Sequence, residues 1–531
     1  MQDWYGSLSH TMPELVRRAA DAYGEAPFLV EEDGRTLSFR QFEQAAALAA
    51  RGFLAQGIGA GDRIAIWAPN CGFWAVAAAA AELIGAVMVP INTRFRGQEA
   101  GYVLRKSGAR LLVTVTAFLG SDYVGMLQAA MGGIAEGRPV RDLPALAGIV
   151  LLDGEEPRAA TIPWRRFIDS AEPEAALEAA ESRVRPDSIC DILFTSGTTG
   201  NPKGAMHCHG QALWMVGLWN RANDLRRGDR MLIVNPFFHS FGYRSGWVSA
   251  LMAGITAYPC AVFDADAVLK RIAAERISVL MGPPTLFTAL LDHPDRAHYD
   301  LSSLRVGHTG SSNVPVALIA RARDELGFEL FLTSYGLTEA TALVSVNEPE
   351  DDFETIARTV GHALPGTELR IAESGELLVR GPNVMQGYLE DPDATADAID
   401  AEGWLHTGDV GLLDEAGRLR ILDRLKDVVI VGGFNAYPAE IENVLATHPA
   451  IAEVSIIAVP DERLGEVCGA CVVLRQGAAL SLAELTAWSR ERLANFKVPR
   501  HLFLRDSLPR TPLGKIQKFL LKQQASAAPP R

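Results

Sequence analysis

Cysteine is scarce in this chain: Cys71, Cys190, Cys208, Cys260, Cys468 and Cys471 are scattered over 531 residues. That pattern disfavours a disulfide framework and suits reduced thiols in a cytoplasm. Only Cys468 and Cys471 form a CxxC. With no second CxxC and no nearby histidine, strand packing is their expected role. Positive charge is also in deficit, since 50 Lys and Arg face 64 Asp and Glu, for a net charge of −14. Nucleic acid is therefore not the expected partner. No apolar run reaches the ~20 residues of a membrane span. The most apolar stretch, Trp74 to Pro90, is interrupted by Glu82, Gly85 and Pro90, and is expected to form a buried Ala-rich helix followed by a strand. The first residues lack a basic segment leading into an apolar core, so no secretory leader is expected, nor does the tail carry a lipidation or peroxisomal signal. GxSxG, HExxH and paired zinc signatures are all missing, which leaves hydrolase and metalloenzyme readings without a foothold.

What is present reads as a large globular enzyme. Hydrophobic residues make up 48% and charged residues 21%, ordinary globular usage. The length calls for at least two domains. Short β-branched runs follow helical patterns at Arg63–Trp67, Ala86–Pro90, Arg110–Thr114, Met231–Val234 and Arg276–Leu280. This alternation predicts an α/β fold with mostly parallel sheets flanked by helices. From Met131 to Pro186, Gly, Pro and acidic residues read as surface connections. After Gly375 the texture becomes that of a small antiparallel, barrel-like module. Beyond Lys426, a helix at Pro438–Leu445 and a strand at Val454–Val459 suggest a compact α+β domain. The predicted division is 1–425 and 426–531.

The most informative segment runs Asp191-Ile192-Leu193-Phe194-Thr195-Ser196-Gly197-Thr198-Thr199-Gly200-Asn201-Pro202-Lys203-Gly204. An apolar strand enters a turn dense in glycine and hydroxyls that ends in one lysine. Glycines let backbone N–H groups approach an anion, hydroxyls add donors, and Lys203 supplies a point charge, a set that suits nucleotide phosphates. The spacing is not that of a Walker loop.

This segment resembles the signature loop of the adenylate-forming superfamily: acyl-CoA synthetases, luciferases and peptide-synthetase adenylation domains. Further blocks of that family follow in order. Ser334-Tyr335-Gly336-Leu337-Thr338-Glu339 resembles the block in which the tyrosine stacks near adenine, the threonine touches phosphate and the glutamate helps hold Mg²⁺. The same resemblance makes Thr195 a second metal contact. Read alone, Glu339 is simply a first-turn helix carboxylate. Gly307 to Pro315, with Ser311, sits where the family has its adenine loop, and alone it is an ordinary turn before a helix. Trp404 to Asp409 matches the block whose aspartate bonds the ribose hydroxyls. Arg424 is then implied at ribose or phosphate and Lys426 at the hinge. Pro509 to Ile516 resembles the block with the catalytic lysine, here Lys515, borne on a mobile small domain. Gly432, Gly433 and Phe434 fall where the family lines its coenzyme A tunnel, although a plain β-turn fits them equally. The resemblance implies ATP, Mg²⁺ and coenzyme A as cofactors.

The acid itself is read from Asn235 to Gly242, which resembles the aromatic block gating the acyl pocket. His239 fits a gate and a packed, hydrogen-bonded histidine equally. No aspartate lies between Phe237 and Gly242, which argues against α-amino acids. Gly336 replaces the tryptophan of acetate-specific relatives, so an open floor and an acid larger than acetate are expected, medium- or long-chain or ring-bearing. Phe237, Phe238, Tyr243, Arg244 and Trp247 suggest a roomy pocket with an aromatic and cationic rim, with Thr309 and Gly310 beside it. Only 16 residues follow Lys515, leaving no room for a fused carrier domain, so free coenzyme A is the expected acceptor. The blocks at Phe237, Gly282-Pro283-Pro284-Thr285 and Gly381 to Met385 also resemble ligases that activate ring-containing steroid-degradation propanoates. The reading is an AMP-forming acyl-CoA ligase. Alternatives are an acyl-AMP ligase, an adenylate-forming oxygenase or a non-catalytic nucleotide-binding scaffold. A homodimer is entertained, although no residue pattern specifies oligomeric state.

Overall fold

The computed structural model describes residues 6–153, 159–195, 202–310, 314–511 and 515–527. Of the phosphate loop, Ser196, Gly197, Thr198, Thr199, Gly200 and Asn201 lie outside the described residues, as does Ser311.

The alternating apolar runs form two large sheets. In one, Thr256–Pro259, Arg230–Ile233, Val279–Gly282, Val306–Thr309 and Leu330–Tyr335 lie parallel in that spatial order. In the other, Ile189–Thr195, Val87–Pro90, Arg63–Trp67, Leu111–Thr114 and Gly148–Leu151 are parallel neighbours. Lys203–Cys208 returns antiparallel to Ile189–Thr195, and Gly387–Tyr388 pairs beyond it. Several of these strands are buried along their whole length, as expected for parallel strands covered on both faces.

The Trp74–Pro90 stretch is the predicted helix and strand, Gly72–Leu83 and Val87–Pro90. Every helix residue except Phe73 is buried, because its alanines are apolar all round. The segment from Met131 to Pro186 corrects the expectation of mere surface connections. Gly148–Leu151 is a fully buried strand, and helices occupy Trp164–Asp169 and Glu174–Glu181. The four apolar residues Gly148-Ile149-Val150-Leu151 find burial as a partner for Leu111–Thr114.

The later chain forms a four-stranded antiparallel sheet, Glu368–Ile371, Glu376–Arg380, Leu405–Leu413 and Leu419–Arg424. One turn of 3₁₀ helix, Leu425–Asp427, then leads into a last sheet built on the long strands Ile451–Asp461 and Gly465–Leu474. This sheet packs its own core with the helix Pro438–Leu445. Cys468 joins that core and Cys471 joins a separate cluster with Phe503 and Leu521. Residues three apart on a strand face opposite sides, so the CxxC pair is packing material.

Candidate active site

The parallel strands of the first sheet end together. Thr309 closes Val306–Thr309, Tyr335 closes Leu330–Tyr335, and Asn235 to His239 follow Arg230–Ile233. Crevices at the carboxyl ends of parallel strands are where α/β sheets bind ligands.

Thr195 and Lys203 are cross-strand partners in the hairpin that carries the phosphate loop. The Lys203 ammonium stands 5.1 Å from the centre of the Tyr388 ring. Tyr388 in turn donates its hydroxyl to Glu339 Oε1 at 2.9 Å. Burial, then the Glu339 carboxylate, pushes the Tyr388 phenol far above its ordinary range, so it remains a donor. Glu339 sits in a 3₁₀ turn, Thr338–Ala340, whose backbone is tied by Met385 N–H donating to Glu339 O at 2.9 Å. A carboxylate and a hydroxyl oxygen, Glu339 and Thr195, are hard ligands of the kind Mg²⁺ takes alongside phosphate and water.

On the nucleoside side, Tyr335 donates to Asp409 at 2.5 Å, and Arg424 Nε lies 3.2 Å from the other Asp409 oxygen. Burial raises the Asp409 carboxyl, against the pull of Arg424, Tyr335 and Lys515. Lys515 follows Thr511, whose hydroxyl accepts its N–H at 3.2 Å and whose own N–H donates to Lys515 O at 2.7 Å. The Lys515 ammonium lies within electrostatic reach of Arg424, Asp409, Glu339 and His239. Burial and then Arg424 lower its pKa, with the two carboxylates opposing.

His239 lines a cavity of about 370 Å³ together with Asn235, Phe238, Phe241, Arg94 and Thr511. Its Nδ1 accepts the Phe241 N–H at 3.3 Å, and the chain doubles back so tightly at Gly242 that a Cβ there would meet Asn235 O at 2.3 Å. Burial first, then Lys515 and Arg244, hold the imidazole at about 3. His239 is thus a neutral wall of the cavity.

Three expectations about the acyl pocket are corrected. Tyr243 and Trp247 are core residues. Tyr243 gives its hydroxyl to buried Glu82 at 2.5 Å, and Trp247 packs on Tyr243 and Phe42. Every residue of the kinked segment Tyr243–Val248 is buried, and Tyr243 and Trp247 lie four residues apart within it. Arg244 is no rim cation, for it is wholly buried against Asp191. Gly336 is half-buried, and a Cβ there would point at Ala342 O, meeting it at 1.9 Å. It is glycine because backbone passes against it. Thr309 is buried, with a hydroxyl that has no partner among the described residues. Gly310 lies against Ser334, whose carbonyl would stand 3.3 Å from an added Cβ.

Gly432 and Gly433, both at positive φ, form the tip of a hairpin between Val429–Val431 and Phe434–Ala436. Phe434 is 62% exposed and stacks on Phe496 at 5.2 Å. These residues are not among those lining the cavity beside His239. Lys426 is exposed within the connecting 3₁₀ turn. Sequence reasoning missed Tyr388, Asp191 and His207, which approach the turn of Glu339 only through the paired strands. The only sequence signal was the return of the chain after Lys203 as a second strand.

The AMP-binding enzyme family matches residues 16–389, and the AMP-binding enzyme C-terminal domain matches residues 440–515. A 3-[(3aS,4S,7aS)-7a-methyl-1,5-dioxo-octahydro-1H-inden-4-yl]propanoyl:CoA ligase of Rhodococcus jostii (strain RHA1) is 44% identical over 516 residues, 97% of this chain and 98% of that protein. The Mycobacterium tuberculosis (strain ATCC 25618 / H37Rv) ligase of the same description is 45% identical with the same coverage. Among solved structures, the anthranilate CoA ligase AuaEII in complex with anthranoyl-AMP superposes with a TM-score of 0.87 at 25% identity, covering 98% of each chain. The chain belongs to the AMP-binding enzyme family, among its AMP-forming acyl-CoA ligases, which use ATP and coenzyme A.

Proposed function

We propose that this ligase activates a propanoate side chain borne on a fused, keto-bearing ring system, first as the acyl-adenylate and then as the coenzyme A thioester. Support for the acid comes from the two relatives at 44% and 45% identity, whose described product is an indane-dione propanoyl thioester. The observation that carries the mechanism is the approach of Lys515 to Asp409, Glu339, Arg424 and the gate at His239.

A carboxylate is a poor electrophile and is repelled by a triphosphate. Joining them demands cations and donors held where charge develops. Lys515 would bridge the acid's carboxylate and the α-phosphate, while Lys203 and the loop from Thr195 hold the outer phosphates. Asp409 would accept both ribose hydroxyls, oriented by Tyr335 and Arg424. Glu339 and Thr195 would hold Mg²⁺, which when bound spreads the phosphoryl charge. The neutral His239 separates the acid from the cavity that ends at Thr511, through which a thiol would enter. In this reading residues 426–531 are the mobile lobe and the turn at Lys426 its hinge. That lobe must withdraw Lys515 before the thiol attacks. Gly432, Gly433 and Phe434 are then free to close over the thiol. Reduced thiols throughout and the absence of a membrane-crossing helix among the described residues accord with a cytoplasmic enzyme.

Acid-dependent pyrophosphate exchange tests the substrate class. The indane-dione propanoate should show a higher kcat/KM than a medium-chain fatty acid or an aryl acid. Preference for either of the latter would overturn the assignment.

A further inference from the structure

The turn that bears Glu339 is costly to hold. Directly after Thr338–Ala340 come Thr341 and Ala342, two consecutive non-glycine residues at φ of 52° and 78°. Left-handed backbone of this kind persists only where its surroundings impose it. Two of the restraints are already clear: Met385 N–H donates to Glu339 O, and the Thr341 hydroxyl donates to Asn383 O at 2.6 Å. The third comes from the buried interior. His207 Nε2 lies 2.7 Å from Thr338 O, and its Nδ1 lies 2.8 Å from Asp191 Oδ1. Asp191 is gripped in turn by Arg244 Nη2, at 2.7 and 2.6 Å from its two oxygens. His207, Asp191 and Arg244 are all fully buried.

We infer that His207 is a positioning residue of the adenylation step, fixing the Thr338–Glu339 turn in the conformation that receives Mg²⁺ and phosphate.

The placement of the three side chains gives this its force. Asp191 lies in the strand that runs into the phosphate loop and His207 in the strand that returns from it. Arg244 is the second residue of the kinked segment Tyr243–Val248, which follows His239 to Gly242 directly in the chain. One buried relay therefore joins the phosphate hairpin, the metal-bearing turn and the back of the acyl gate. Burial works against ionising Asp191, but Arg244 and His207 hold its carboxyl at about 2. Both partners of His207 are then acceptors; the neutral ring donates to one of them, and only the doubly protonated ring donates to both. Burial, then Arg244, drives the His207 ring toward its neutral form, while Asp191 and the Thr338 carbonyl pull the other way. The Arg244 Nε and Nη1 have no partner among the described residues, which leaves Asp191 as the guanidinium's anchor.

This inference rests on the proposed adenylation chemistry, and the experiment separates the two. His207→Leu keeps the volume and removes the N–H that can serve the Thr338 carbonyl; His207→Gln keeps an amide N–H that can still reach that carbonyl. The readouts are pyrophosphate exchange against Mg²⁺ concentration, ATP binding by calorimetry with and without Mg²⁺, thioester formation from supplied acyl-adenylate, and melting temperature. For His207→Leu, exchange should fall about tenfold, since one buried carbonyl loses its donor. Half-saturating Mg²⁺ should rise about fivefold, and the gain in ATP affinity from Mg²⁺ should shrink by a similar factor. Thioester formation should stay within about twofold of the parent, and His207→Gln should recover most of the loss. Equal falls in both half-reactions with an unchanged Mg²⁺ requirement would overturn the inference and leave His207 a packing residue. Unaltered exchange in both variants would also overturn it. A parent enzyme that exchanges pyrophosphate with no acid would overturn the proposed function instead, and this inference with it.

Discussion

The Tyr335 hydroxyl donates to Asp409 across 2.5 Å although the two lie 74 residues apart, one ending a parallel strand of the large sheet and the other in the antiparallel module. This bond ties the large parallel sheet to the antiparallel module at the place where the nucleoside is proposed to sit. It leaves one carboxylate oxygen to Arg424, at 3.2 Å.

Asp409→Asn should therefore weaken ATP binding more than it weakens the fold. A charge-assisted acceptor of two hydroxyls is worth about 1.5–3 kcal/mol, or roughly 10- to 150-fold in affinity. Calorimetry with ATP measures it. An unchanged Kd would remove Asp409 from the nucleotide site.

Gly336 leads to a prediction opposite to the one its sequence position suggests. Because a Cβ there would meet Ala342 O at 1.9 Å, Gly336→Trp should destabilise the fold rather than convert the enzyme to small acids. Even Gly336→Ala is expected to cost about 2 kcal/mol, the scale of forced overpacking. Thermal melting of both variants gives the answer. A stable Gly336→Trp enzyme active on acetate would refute this reading.

Lys515, Asp409 and Glu339 stood out only through the resemblance of their blocks to a family, since each alone reads as an ordinary turn or helix residue; the structure sets Lys515 within electrostatic reach of Asp409 and Glu339. Tyr243 and Trp247 were misread because aromatic spacing does not say that the whole segment Tyr243–Val248 packs into the core. Arg244 was misread as exposed for a similar reason. Its counter-ion, Asp191, is 53 residues earlier, and only the strand pairing brings them together. The buried strand Gly148–Leu151 was lost among flanking glycines, prolines and acids, although its four apolar residues needed a sheet to cover them.

Glu82 supplies a pH test of the core. Its carboxyl is raised to about 8, by burial first and by Asp191, despite the Tyr243 bond and Arg244. A group raised on folding binds its proton more tightly in the native state. Its contribution to stability is complete below the ordinary carboxylate range and is lost as pH rises toward about 8. Each pKa unit of difference is worth about 1.4 kcal/mol at most. Glu82→Gln should thus match the parent near pH 4.5 and melt at a higher temperature at pH 8 to 9. A constant difference in melting temperature across that range would show that Glu82 does not titrate with folding.

His239 is held at about 3, by burial and then by the Lys515 and Arg244 cations, so it carries no proton at neutral pH. His239→Phe should keep pyrophosphate exchange within about threefold, because a neutral wall contributes shape rather than acid–base catalysis. Loss of a hundredfold or more in exchange, with the fold intact by melting, would make His239 a catalytic acid or base.

Lys515 is proposed to serve the first half-reaction and to leave before the second. Pre-steady-state assays of Lys515→Ala measure this directly, with pyrophosphate exchange for adenylation and supplied acyl-adenylate for thioester formation. Removing a cation that acts only on the transferring phosphoryl group should cost exchange about 10²- to 10³-fold. Thioester formation should stay within about threefold. Because burial and Arg424 lower the Lys515 pKa, the parent's exchange should also decline at a pH below the ordinary lysine range, a limb missing from its thioester step. Equal losses in both half-reactions, or undiminished exchange, would contradict the account.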